Sequence, residues 1–332
     1  MEGFINECEN MIFKVQELLM DNNEWISRYA EYAKKINANL EKIKRSKEKV
    51  FHEWAPLYLY MNVTQAKGQM GFNLRYLGQQ VADLKFLNGN IIISTKKFDK
   101  NNERDFDFKD KLDNIEWKSK AATNLRQHFS TCSKRTGNSG RENEEHRIES
   151  MLLTEFSKKS KNKILCHIQP VKIASIARFQ MPTPIRASDI KNLKYSKTYG
   201  GGIDIMSRIG KGSSTKLCIM ELKDENDSKL ASMNAIQQGL VYVVFIRELL
   251  RSRSGGEWWK IFGFSGKIPD KLELYVVCVM PTLEKNDLSF SGQIITTDND
   301  SFNLNYIYFD EKDNKITGIV TSLKQCIVKN GA

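Results

Sequence analysis

Apolar positions in the first third of the chain change from a helical period to an alternating one near Asn73. Phe4 to Met20 carries a helical stripe, interrupted at Asp21-Asn22-Asn23, whose side chains suit a helix start. Trp25, Tyr29, Ala33, Ile36, Leu40 and Ile43 then repeat the same spacing. Such a stripe predicts core, with a dimerising or partner helix as the alternative. Val81 to Leu87, Asn88-Gly89 and Asn90 to Thr95 predict a hairpin, because Asn-Gly supplies the positive φ angles of a type I′ turn. A further helix is expected from about Asn114 to Phe129, carrying Trp117 and Arg126. Ser130 to Gly140 is polar and without period, which marks a boundary. The expected organisation is an α+β domain over 1–130, a linker over 131–140 and a second domain over 141–332.

The second domain alternates helix and strand. Arg141 to Lys159 predicts a helix with a capping box from Ser139 to Glu142 and an apolar face of Ile148, Met151, Leu152 and Phe156. Strands follow near Ile164 to Gln169 and Val171 to Gln180. Two apolar strands, one at Asp204 and one over Leu217 to Lys223, are joined by the turn Gly210-Lys211-Gly212-Ser213-Ser214. The helix 228–250 is almost wholly apolar after Met233, so it is expected to pack across a sheet. Strands at Glu273 to Met280, Gln293 to Thr297 and Asn303 to Phe309 complete it. The fold class is α/β, a mixed central sheet flanked by helices, behind a smaller α+β domain.

The chemistry concentrates between Gly202 and Tyr242. A strand period of two puts Leu217, Ile219, Glu221 and Lys223 on one face. Asp204 lies between Ile203 and Ile205, and an antiparallel neighbour would bring it to Glu221. Two carboxylates about 4 Å apart repel by about 4 kcal/mol at an effective dielectric near 20, so the pair shares a proton or binds a cation. Hard oxygen ligands suit Mg²⁺ or Mn²⁺. Lys223 can orient or deprotonate a water, or stabilise charge on a phosphoryl group; both roles stay open. Gln238, inside an apolar helix, needs a partner, and Tyr242 is four residues on.

Asp204 with Glu221-Leu222-Lys223 resembles the PD-(D/E)XK nuclease superfamily, and Gln238 to Tyr242 is similar to the Q-x-x-x-Y element of its RecB-like branch. The likeness covers roughly residues 141 to 281; Ile203 stands where proline precedes the aspartate. It implies a restriction-endonuclease-like core and metal-dependent hydrolysis of phosphodiesters, in restriction, phage defence or DNA repair. It further implies metal held by Asp204, Glu221 and the main-chain carbonyl of Leu222, with Lys223, Gln238 and Tyr242 in the catalytic group. A glutamate on the preceding helix completes the pattern: Glu145, with Glu149 as the alternate. Rival readings on the same fold are an inactive nucleic-acid-binding protein and an assembly subunit.

Charge supports a polyanionic partner. The net charge is +11, yet residues 201–332 carry 16 basic and 16 acidic side chains while residues 131–200 carry 14 and 6. The excess therefore leads into Asp204. Candidate nucleic-acid contacts are Lys158, Lys159, Lys161, Lys163, Lys172, Arg178, Arg186, Lys191, Lys194 and Lys197, interleaved with Phe179, Tyr195 and Tyr199. DNA is the expected partner and RNA stays open; a homodimer and a protein partner at the N-terminal domain are further expectations. The plainer alternative is a surface that is simply basic. Arg208 to Ser214 resembles a phosphate loop but has Ile205 and Gly212 where glycine and a hydroxyl are required. Gly200-Gly201-Gly202 reads as a flexible lead-in to the Asp204 strand. Trp258-Trp259 is expected in the core, with base stacking the alternative.

The remaining composition removes alternatives. Six scattered cysteines form no C-x-x-C and share no metal-ligand spacing with the four histidines, so a reducing cytoplasm fits. No basic n-region follows Met1. The longest apolar runs, Leu240 to Ile246 and Leu274 to Met280, are too short to span a bilayer, so no membrane is expected.

Overall fold

The computed structural model describes residues 2–47, 56–63, 71–87, 90–95, 106–134, 144–174, 177–224, 229–282 and 286–329. Helices α1 (Glu2–Asp21) and α2 (Glu24–Lys47) open the chain. Strands β1 (Leu57–Asn62), β2 (Gly71–Tyr76), β3 (Gln79–Leu87), β4 (Asn90–Thr95) and β5 (Ile115–Glu116) precede helix α3 (Lys120–Thr131). Helix α4 (Glu144–Ser157) leads to short strands β6 (Ile168–Pro170), β7 (Lys172–Ile173), β8 (Ala177–Phe179), β9 (Pro182–Thr183), β10 (Ile185–Arg186), β11 (Lys194–Tyr195) and β12 (Gly201–Gly202). Then come β13 (Ile205–Ile209), β14 (Lys216–Leu222), α5 (Lys229–Arg251) and α6 (Gly255–Ile261). The chain closes with β15 (Glu273–Pro281), β16 (Ile294–Thr297), β17 (Asp300–Lys312) and β18 (Lys315–Thr321). The protein is a mixed α/β structure, with six α-helices and several sheets among the described residues.

Contacts divide it into two compact units. The larger holds Met1–Lys34, Met151–Val171 and Gln180–Ala332, and the smaller holds Lys35–Ser150 and Lys172–Phe179. The divisions therefore fall within α2 and α4, and not at the 131–140 boundary expected from polarity. Residues 135–140 of that boundary, and the capping box from Ser139 to Glu142, lie outside the described residues.

The physical reason lies in α5. Leu240, Val241, Val243, Val244, Phe245, Ile246 and Leu249 have no exposure at all, so apolar side chains point in every direction from this helix. Their burial contributes roughly 10–20 kcal/mol of transfer free energy, and one sheet face cannot cover them all. β14 and β15 cover one side, and α1 lies on another with Phe4, Cys8, Met11, Ile12, Val15 and Leu19 buried at helical spacing. Trp25 and Tyr29 of α2 meet Phe245 edge-on at 5.7 and 4.9 Å between ring centres. Trp25, Tyr29, Ala33 and Ile36 of the stripe are buried as expected and Leu40 is half buried; the Ile43 side chain lies outside the described set.

The central sheet of the larger unit runs β16-β17-β15-β14-β13-β6, with β18 also on β17. β6, β13 and β14 are antiparallel, and β14, β15 and β17 parallel. Helix α5 makes the crossover between β14 and β15 that a parallel pair requires. β14 and β15 are buried on both faces, which explains their continuous apolar sequence.

The smaller unit is built on the sheet β5-β4-β3-β2-β1-β8-β7. Its β3 and β4 pair as the Asn-Gly signal predicts, Leu87 opposite Asn90, although the turn residues lie outside the described set. Two expectations need correction. The strand predicted over Val171 to Gln180 is a hairpin, β7 against β8, turned where Ala174 takes φ +52°. The helix predicted from Asn114 starts at Lys120, because the Ser119 side chain accepts the Ala122 N–H and caps it there. Residues 115–116 pair with β4 instead.

Candidate active site

The site is set by the β13–β14 register. Ile205 lies opposite Met220, so Asp204, one residue before β13, falls across from Glu221. The Asp204 carboxylate accepts the Leu222 N–H at 3.0 Å, capping the ladder where backbone pairing stops. Glu221 is almost fully buried, and its Oε1 lies 3.5 Å from the Lys223 ammonium. At that distance the attraction is about 5 kcal/mol at an effective dielectric near 20, and desolvating two ions costs a comparable amount. The pair contributes little net stability, so folding alone does not account for it.

Helix α5 brings the second half of the site. A Cβ placed on Gly239 would come within 2.8 Å of Val276 Cγ1 and 3.6 Å of Glu221 Cβ. Only glycine lets the helix lie this close to β14 and β15. Gln238, beside it, donates from Nε2 to the Tyr242 hydroxyl at 3.3 Å. The Tyr242 hydroxyl is held protonated by burial first, then by the charge of Glu221 and, more weakly, of Asp204; the Gln238 bond works the other way. Tyr242 thus lies in the field of both carboxylates. Asp204, Glu221, Lys223, Gln238 and Tyr242 are brought together.

Gly201 and Gly202 are no flexible lead-in. They form β12, paired with β9, and a Cβ on Gly201 would stand 3.0 Å from the Tyr242 hydroxyl. A Cβ on Gly202 would stand 2.8 Å from the Tyr199 hydroxyl. The glycines leave room for two phenols beside the acids. Tyr199 belongs to this neighbourhood as well as to the basic segment, a placement invisible without the β9–β12 pairing. Cys278, a small hydrophobe by its place in an apolar strand, stands opposite Glu221 in β15; burial pushes its thiol up, with Lys223 lowering and Glu221 raising it.

The helix acid is different. Glu145 is exposed and Glu149 buried, reversing the expected order. The buried arc of α4 includes Glu149 and Leu153, whereas Met151 is only half buried, so the face lies further round than Ile148 and Met151 suggest. Glu149 accepts from the Tyr60 hydroxyl at 3.2 Å and lies 3.5 Å from His146 Nδ1. Both acids fall in the smaller unit, whereas Asp204 and Glu221 fall in the larger. Among the described residues no group of three or more His, Cys, Asp or Glu side chains is placed to hold one ion.

The basic residues also separate. Arg178 is buried, its guanidinium 3.6 Å over the Tyr58 ring, which makes it a core cation and not a surface contact. Lys163 donates to the Ile168 carbonyl at 2.7 Å, Lys158 pairs with Glu155, and Lys172 is half buried. Lys159, Lys161, Arg186, Lys191, Lys194 and Lys197 are exposed. Arg186 and Lys194 stand directly opposite each other across β10 and β11, and like charges so placed disfavour the pairing. Arg28 of α2 donates to the Ser196 and Thr198 carbonyls at 3.2 Å, fixing the loop between Tyr195 and Tyr199.

Comparison with family models, curated proteins and solved structures finds no match for this chain. Among the described residues no helix is long and apolar enough to cross a membrane.

Proposed function

We propose that this protein is a metal-dependent nuclease of PD-(D/E)XK type acting on DNA. The observation that carries the reading is the Asp204 carboxylate on the Leu222 N–H, in register with Glu221 and beside Lys223. Two carboxylates against one ammonium leave a net negative charge among oxygen donors, which fits Mg²⁺ or Mn²⁺. Asp204, Glu221 and the Leu222 carbonyl would hold the ion. Once bound, such an ion supplies Lewis acidity to a phosphoryl oxygen and lowers the pKa of a water.

The rest is done by the chain. Lys223, held by Glu221, stands ready to stabilise charge on the transferred phosphate or to orient the attacking water. Gln238 fixes the Tyr242 hydroxyl, and the protonated phenol offers a hydrogen bond to a phosphate oxygen. The chain order α4, β6, β13, β14, α5, β15, with its antiparallel-then-parallel sheet, favours the family reading. The like-charge pair Arg186–Lys194 favours a polyanion, since phosphate between the two relieves their repulsion.

The test is cleavage of linear and supercoiled duplex DNA, with an RNA arm, in Mg²⁺ and in EDTA. Asp204→Ala and Lys223→Ala should each lower the rate by roughly a thousandfold or more, and chelation should abolish it. DNA binding by all three proteins without cleavage would instead support an inactive binder on the same architecture.

A further inference from the structure

The far end of the same two strands carries a second feature that the acids do not use. Where β13 ends and β14 begins, a cavity of about 710 Å³ opens, well within the size range of small-ligand sites. Lys163, Arg208, Lys211, Lys216, Lys267 and Lys271 line it, against one acid, Glu273. Glu273 is already bonded to Lys216 at 2.8 Å. The excess positive charge is therefore large for so small a space.

Arg247 makes the contrast. In the same unit, it meets three carboxylates: Asp300 at 2.7 Å, and Glu248 and Asp298 at 2.6 Å. Among the described residues no carboxylate pairs with Arg208. Its guanidinium is held by the Gly263 carbonyl and by Gln169 Oε1 at 2.8 Å, and burial alone pulls its pKa down. Burial and the ammonium groups of Lys211, Lys163 and Lys329 likewise hold His167 below its usual 6.5.

Two further elements define what would fit. Trp259 and Phe264, both lining the cavity, stack at 4.0 Å with 13° between their planes. Trp259 is buried and Phe264 half buried, so the outer ring is backed and partly accessible, a ready platform for a base. The loop through Gly212 has φ +53° there and open space where a Cβ would be, so a ligand can approach its backbone.

We propose that this cavity binds a nucleoside polyphosphate, its phosphates among Lys211, Lys267, Lys271 and Arg208 and its base against Phe264. Two or three phosphates, each with about one to two negative charges, match the surplus, and a cavity of this volume cannot enclose a duplex. The site is separate from the acids: Arg208 lies four residues along the chain from Asp204, about 13 Å at strand rise.

The test is titration calorimetry on the Asp204→Ala protein in EDTA, so that neither cleavage nor metal at the acids contributes. ATP is expected to bind. Lys211→Glu with Lys267→Glu, both exposed positions, should weaken binding at least tenfold with an unchanged circular dichroism spectrum. Phe264→Ala should weaken ATP while leaving the affinity for tripolyphosphate as it was. No heat at millimolar ATP, or an affinity indifferent to the double charge reversal, would overturn the proposal. So would displacement of ATP by a DNA duplex, which would make the cavity part of a nucleic-acid groove, or equal affinity for tripolyphosphate and ATP.

Discussion

The two ends of the β13–β14 pair handle charge in opposite ways. At one end Asp204 takes a backbone N–H, Glu221 faces Lys223, and a buried phenol sits in the field of both acids. At the other end six cations line a cavity with one carboxylate. Both lie toward the ends of the strand pair, because the middle of β14 is apolar on both faces and leaves no place for charge. The difference is in who supplies the counter-charge. At the acid end much of it comes from neighbouring side chains, whereas at the cationic end Glu273 is the one carboxylate among the residues lining the cavity.

Asp300 shows what a carboxylate contributes where two guanidinium groups share it. It bonds Arg247 at 2.7 Å, Arg251 at 2.5 Å and the Leu272 N–H at 2.8 Å. Asp300→Asn should destabilise the protein by about 3–5 kcal/mol, because it leaves two guanidinium groups without their shared carboxylate. Urea unfolding at pH 7 measures this. Burial pushes the Asp300 carboxyl up, but its bonds to Arg251, Leu272 and Arg247 outweigh that and leave it below 3.8. A depressed carboxylate stabilises above its unfolded pKa and loses that contribution as pH falls through its folded one. The gap between wild type and variant should therefore persist at neutral pH and close below about pH 4. A gap of the same size at pH 3 would mean that the variant fails for reasons of shape.

A smaller effect is expected where packing, not charge, sets the acid end. In an exposed helix, glycine to alanine gains about 1 kcal/mol from propensity. Gly239→Ala instead drives a methyl into Val276 Cγ1, and overpacking of this kind costs about 1–3 kcal/mol. The sign should therefore reverse to a net loss of about 1 kcal/mol, read from the denaturation midpoint. A stabilised variant would show that α5 can ride further from β14 without penalty.

The sequence made the acid end legible because its signals are local. Period-two alternation placed Glu221 with Lys223, and a spacing of four placed Gln238 with Tyr242. The cationic end draws its lining from separate stretches: Lys163 before β6, Arg208 and Lys211 around the turn, Lys267 and Lys271 before β15. No spacing rule links these positions, and the loop at Gly212 lacks the phosphate-loop pattern that would mark it in the sequence. Arg178 was misjudged for a related reason, since its Tyr58 partner is more than a hundred residues away. The divisions within α2 and α4 have no local signal, since the polarity of residues 130–140 says nothing about which face of α5 needs cover.

His167 gives the least intrusive probe of the comparison. It lines the cavity, and its imidazole is held below 6.5 by burial and by Lys211, Lys163 and Lys329. A histidine depressed on folding favours the native state while neutral, and stability falls as pH drops through the unfolded value near 6.5. The change should be small, so the readout is the imidazole itself, followed by NMR. Lys211→Glu should raise its pKa toward or above 6.5 by exchanging a repulsive neighbour for an attractive one, and ATP should raise it in wild type. No acid-end substitution, Asp204→Ala included, should move it: the His167 carbonyl accepts the Gly210 N–H, six residues from Asp204 and roughly 20 Å at strand rise, where solvent and salt screen most of that charge. A His167 titration that ignores Lys211 but follows Asp204 would mean that the two ends share one field, and the contrast between them would fail.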